Sequence, residues 1–297
     1  MTKDIRFLRW LLPAALCFAT GLWVSAVWDL SINLAVYNPH SLFAVLMEAF
    51  CWYPAFLPAL WLAALLCTQP QPFSLPHRLA SGAVAVLGLG ILCFASGHSL
   101  VHRNLLAGWR NPTAFLWLAC ALALGAVLFR LVQKTTFALR EKLFLVAGAG
   151  SIFLLANQGI VQVLKWIWQR TRFDEMVSIG SFSNFTPWFL PFGAGGNSFP
   201  SGHTANAAGV FFLLFLCDVL PAWHKRRPLV LAGCWVFIAL TSFSRVLIGR
   251  HFLSDTLASA AISALLFWTL HSSRLYRRRL RAVLQHSALP TPTGDTL

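Results

Sequence analysis

The chain has 297 residues, 58% of them hydrophobic and 11% charged, with 25 Phe and 13 Trp, and its mean hydropathy is +0.67. About a quarter of a water-soluble domain is charged, so this composition excludes a soluble enzyme and points to a helical membrane protein. The net charge of +14 calls for no nucleic-acid partner, because membrane proteins gather Lys and Arg on one side of the bilayer.

Eight apolar runs are long enough, at roughly 17 to 25 residues, to cross the hydrocarbon as helices. In chain order they are Leu11–Trp28, Cys51–Cys67, Leu79–Gly97, Thr113–Phe129, Leu143–Leu164, His203–Leu220, Leu229–Leu247 and Asp255–Leu270. The predicted fold is therefore all-α, a polytopic membrane bundle of about eight transmembrane helices, each satisfying its backbone internally as the hydrocarbon demands. The first run is too long for a cleaved leader and ends at Asp29, so it reads as a retained helix. The sixth is the weakest, since it opens with His203, Thr204 and Asn206. The expected organisation is a single integral-membrane domain over residues 1–270 and a basic cytoplasmic tail over 271–297. The Pro-rich "QPQPFSLPHR" reads as an inner loop, and "ALPTPTGDTL" at the end as a disordered segment. Seven cysteines, scattered through apolar runs without a C-x-x-C, read as small hydrophobes.

Charge placement sets an orientation. With the N-terminus inside, Lys3, Arg6, Arg9, Arg78, Arg130, Lys134, Arg140, Lys142, Lys225, Arg226, Arg227, Arg274, Arg277, Arg278, Arg279 and Arg281 fall on the inner side. Arg103, Arg110, Lys165, Arg170, Arg172, Arg245 and Arg250 remain outside. This bias fits the positive-inside rule, with both termini cytoplasmic and "RLYRRRLR" facing anionic inner-leaflet lipid. The expected location is a bacterial inner membrane.

The outer cations gather beside polar helix ends. In "KWIWQRTRFDE", Lys165 and Arg172 are seven residues apart, close to two turns, so they share a face if the helix continues. Snorkelling to headgroups is the plainer reading of either alone. In "GGNSFPSGHTANAAG", the sixth helix begins at a knot of Gly, Ser and His. N–H groups around Ser201, Gly202 and His203 can surround an anion there, although Pro-Ser-Gly is also an ordinary turn with a serine cap. In "SRVLIGRHFLSD", Gly249 marks a break between helices, and His251 and Asp255 are four apart. That spacing lets the carboxylate take the Nδ1 proton and leave Nε2 as a nucleophile, with a satisfied structural histidine as the alternative. The outer acids expected to neutralise this cluster are Asp174, Glu175 and Asp255, too few for the cations, so an anionic partner such as phosphate fits. Arg103, Arg110, Arg170 and Arg250 read as solvated loop charge. His98 and His102 have i, i+4 spacing but no third ligand, so no metal site is read.

In order, Lys165 with six residues before Arg172, Pro200-Ser201-Gly202-His203, and Ser244-Arg245 with five residues before His251 and three more before Asp255 resemble the signature of the type 2 phosphatidic acid phosphatase (PAP2) superfamily. These are integral-membrane lipid phosphate phosphatases that share an active site with vanadium haloperoxidases. The signature covers roughly residues 165–255, within a catalytic core expected over about 142–270. Two departures stand out: Phe173 occupies the place where the family has proline, and the eight runs exceed the family's six-helix core by a hairpin. The resemblance implies that His251 is the nucleophile, Asp255 its orienting carboxylate and His203 the general acid and base. It also implies that Lys165, Arg172, Ser201, Gly202 and Arg245 hold the phosphate, with no metal or cofactor. The implied substrate is a membrane lipid phosphate, with no obligatory protein partner: undecaprenyl pyrophosphate, phosphatidic acid, phosphatidylglycerophosphate or a lipid A phosphate. "FTPWFLPF" is aromatic enough to border substrate entry or to lie in an ordinary interfacial belt. A lipid-to-lipid phosphotransferase would use the same residues. A transporter would instead place its cations in mid-helix, within paired broken repeats.

Overall fold

The computed structural model describes residues 2–68, 74–103, 105 and 112–286. Residues 69–73 of the Pro-rich loop, Arg110 and the C-terminal "ALPTPTGDTL" lie outside the described residues. In chain order the helices are α1 (Thr2–Val36), α2 (Leu42–Phe50), α3 (Tyr53–Thr68), α4 (Leu75–His102), α5 (Pro112–Gln133), α6 (Phe137–Trp168) and α7 (Phe173–Ser178). They continue with α8 (Gly202–Ala207), a 3-10 turn (Ala208–Phe211), α9 (Phe212–Val219), α10 (Pro221–His224), α11 (Arg227–Leu247), α12 (Leu253–Ser272) and α13 (Arg274–His286). Among the described residues, 8 segments are long and apolar enough to cross a membrane, matching the predicted all-α architecture.

Three segments depart from their expected outlines. The first helix does not stop at Asp29 but runs through it to Val36. Asp29 is buried with Ser25 and Asn33, and their four-residue spacing places them on one helical face. The second span begins at Leu42 rather than Cys51, because Ser41 caps α2 by accepting the Ala44 amide at 3.4 Å. The sixth is not one continuous helix: α8 passes through the 3-10 turn into α9.

The chain forms two compact units, each assembled from three stretches. The first comprises residues 1–51, 156–208 and 236–265, and it holds every residue of the signature. An aromatic cluster organises it: Phe173, Met176 and Phe252 are buried, with Leu30, Tyr37 and Phe185 against them. The second comprises residues 52–155, 209–235 and 266–297. There α3, α4 and α5 pack together through Leu65, Leu92, Cys93, Leu128 and Val132.

In this second unit the basic segment Arg274–His286 forms α13. Tyr276 of α13 is buried with Phe212 and Phe215, and its hydroxyl donates to Asp218 Oδ2 at 2.8 Å. Burial and the Asp218 carboxylate push the Tyr276 phenol upward, which keeps it a donor. Arg227 also bonds Asp218, and His271 Nε2 lies 2.9 Å from it.

Candidate active site

The first motif is split by a turn. α6 ends at Trp168, and Gln169 takes a left-handed conformation (φ 48), so Lys165 and Arg172 do not share one continuous helix. Arg172 instead caps α7, its amide bonded to Glu175 Oε2 at 3.2 Å. Phe173, standing where the family has proline, is the first residue of α7, the helical position that proline also favours because its amide has no intrahelical acceptor. Its ring packs on Tyr37 at 5.1 Å.

The knot at 193–203 lies along the end of α6. Gly193 N donates to Trp168 O, Gly196 N to Gln169 O and Ser198 N to Arg170 O, each at 2.8 Å. A Cβ on Gly196 would overlap the Arg170 carbonyl and Thr171 Cα, so this approach requires glycine. Asn197 O accepts from Lys165 Nζ, and the Lys165 stem passes beside Gly202. Ser201 Oγ caps α8, accepting the Thr204 amide at 3.3 Å, while the Ser201 amide donates to Asp255 O at 3.0 Å. Of the N–H groups expected to face an anion, that of Ser201 is thus engaged within the protein. The amide of Gly202 opens α8, where no intrahelical carbonyl reaches it.

The third motif folds back at Gly249 (φ +72). A Cβ there would press on Tyr37 and Phe173, so glycine serves both the left-handed backbone and the contact. His251 precedes α12 rather than lying on it, and its Nδ1 is 3.6 Å from Asp255 Oδ2, longer than a hydrogen bond. The rings of His203 and His251 are 6.4 Å apart. Burial, reinforced by Lys165 and Arg245 and opposed by Asp255, pushes His251 down to about 3. The imidazole is therefore neutral at ordinary pH. Arg245 is 1% exposed; its Nη2 donates to Glu48 Oε1 at 3.1 Å, but Nε and Nη1 have no hydrogen-bond partner. Arg172 Nε is likewise buried and unpartnered. These are donors of the kind an oxyanion would satisfy.

Arg170 overturns the solvated-loop reading. It is 0% exposed, with Nη1 2.6 Å from Asp255 Oδ1 and Nη2 2.9 Å from Asp29 Oδ2. Its Nε donates to Thr186 O at 2.8 Å, and its guanidinium lies 4.1 Å from the centre of the Phe252 ring. Arg250 is also paired, 3.3 Å from Asp174. Sequence reasoning missed Asp29 and Glu48 as acids of this cluster, although a carboxylate inside an apolar run is itself a signal, since it is costly there unless paired.

All three motif segments fall within residues 145–279, which match the PAP2 superfamily. The chain carries a PAP2 superfamily domain. Over 73 residues it is 40% identical to phosphatidylglycerophosphatase B of Bacillus subtilis (strain 168). That stretch covers 24% of this chain and 36% of the relative, so the likeness spans about a third of the relative's length. No solved structure matches the chain. Asp29, Asn33 and Glu48 reach the site from outside the PAP2 domain.

Proposed function

We propose that the protein hydrolyses a phosphate monoester or pyrophosphate on a membrane lipid, without a metal ion, through a phosphohistidine on His251. One observation carries this reading: neutral His251 stands beside Asp255 and His203, in the same motif cluster as Arg245, whose buried Nε and Nη1 lack hydrogen-bond partners, and Arg172, whose buried Nε lacks one. The PAP2 domain and the likeness to a phosphatidylglycerophosphatase support lipid phosphate hydrolysis.

In the first step His251 Nε2 attacks phosphorus while Nδ1 keeps its proton toward Asp255. The bond to the leaving oxygen breaks, and His203 supplies that oxygen's proton. Asp255 stabilises the imidazolium that results. In the second step His203 takes a proton from water, the water oxygen attacks phosphorus, and the P–N bond breaks to release phosphate. Lys165, Arg172, Arg245, Gly202 and the Ser201 hydroxyl hold the non-bridging oxygens, supplying the charge stabilisation that a metal would otherwise give. The sequence bias of Lys and Arg supports an inner-membrane orientation with this site at the outer face. There the phosphate of phosphatidylglycerophosphate, phosphatidic acid, undecaprenyl pyrophosphate or lipid A is within reach while its tails stay in lipid.

The test is phosphate release by detergent-purified protein in EDTA from those four lipids, with His251→Ala alongside. Wild-type release and none from the variant are expected. Near-normal turnover by His251→Ala would remove the phosphohistidine. Phosphate passing to a second lipid instead of water would make the enzyme a phosphotransferase using the same site.

A further inference from the structure

α1 lies outside the PAP2 domain, and little of its membrane-spanning part is buried, yet it buries a polar stripe of Ser25, Asp29 and Asn33. Each of the last two reaches the catalytic turn. Asn33 Nδ2 donates to His251 O at 3.2 Å. Asp29 Oδ1 accepts the Ser254 amide at 3.0 Å, and Asp29 Oδ2 takes both the Ser254 hydroxyl and Arg170 Nη2 at 2.9 Å. The other arm of the same guanidinium holds Asp255 Oδ1 at 2.6 Å and Ser254 Oγ at 2.8 Å. Asp255 Oδ2 accepts from Ser198 Oγ at 2.5 Å and from the Phe252 amide at 2.8 Å.

We propose that Asp29 is a positioning residue for the reaction: through Arg170 and Ser254 it fixes the carboxylate of Asp255 against His251. The proposal rests on the phosphohistidine reading of the site. Every nitrogen of Arg170 is committed inside the protein, so this cation cannot serve substrate. Its task is to join two carboxylates. Asp29, Arg170 and Asp255 together carry one net negative charge, placed beside the imidazolium that forms on His251. Neutralising Asp29 removes that net charge and lets Arg170 move toward Asp255. It leaves Lys165, Arg172 and Arg245 untouched, so the loss falls on the chemical step and not on phosphate binding.

The experiment measures kcat and KM for phosphatidic acid in mixed micelles with EDTA, for wild type, Asp29→Asn and Ser254→Ala. For Asp29→Asn, a fall in kcat of about ten- to hundredfold is expected, from misplacement of the orienting group, with KM within about twofold. Ser254→Ala removes the hydroxyl between Arg170 and Asp29 without changing any charge, and is expected to lose kcat severalfold at unchanged KM. It decides the matter if Asp29→Asn is not recovered folded. Wild-type kcat in either folded variant, or a loss confined to KM, would overturn the positioning role. A wild type without turnover on any lipid phosphate would instead overturn the function on which the role rests.

Discussion

Arg245→Lys isolates what the guanidinium contributes beyond its charge. In the native protein one arm of Arg245 is 3.1 Å from Glu48, while Nε and Nη1 have no partner. Lysine keeps the cation beside Glu48, so no buried carboxylate is stranded, but its three N–H donors radiate from one nitrogen and lack the planar fork that spreads Nε and Nη1 away from the Glu48-bonded Nη2. Two charge-assisted hydrogen bonds are worth about 3–6 kcal/mol together. The retained charge returns part of this, leaving a loss of about 2–4 kcal/mol, or roughly thirty- to a thousandfold in kcat/KM. The assay is phosphate release from phosphatidic acid in mixed micelles, with thermal unfolding in detergent as the folding control. A folded Arg245→Lys protein within about threefold of wild type would refute the claim that the two unpartnered donors bind the transferring group.

Two further outcomes follow from the geometry. His251 is held down at about 3 in the folded protein against about 6.5 in the unfolded chain, so between these values the unfolded chain binds the extra proton and stability falls as pH drops. The melting temperature in detergent should decline more steeply from pH 6 to pH 4 for wild type than for His251→Gln; parallel curves would contradict the burial argument. Gly196→Ala drives a Cβ into the Arg170 carbonyl, which cannot yield as a side chain would. A destabilisation of about 1–3 kcal/mol is expected from such overpacking, and an unchanged melting temperature would show that the loop adapts.

The spans were legible because a membrane helix must declare itself as a long apolar run, and the PAP2 resemblance because the residue types and spacings of its motifs are few. What stayed hidden depends on distance and direction. Lys165 and Arg172 look like neighbours on one helix, but the left-handed Gln169 turns the chain between them, and nothing in a lone Gln announces that conformation. Arg170 and Arg172 are indistinguishable as letters; one is wholly buried because Asp29, 141 residues away in sequence, meets it. Asp29 itself read as the end of a helix, where a charge is ordinary. Inside the helix it had to be paired, and its four-residue spacing from Ser25 and Asn33 was the clue available.

The most direct test of the central claim is to trap the phosphoryl group. Wild-type protein is mixed with a radiolabelled lipid phosphate, denatured in alkali, in which a phosphohistidine survives, and digested for peptide mapping. Label is expected on the peptide containing His251, lost on brief acid treatment and absent from His251→Ala. Label on another residue, or steady turnover with no labelled protein under conditions that trap the first step, would contradict that claim.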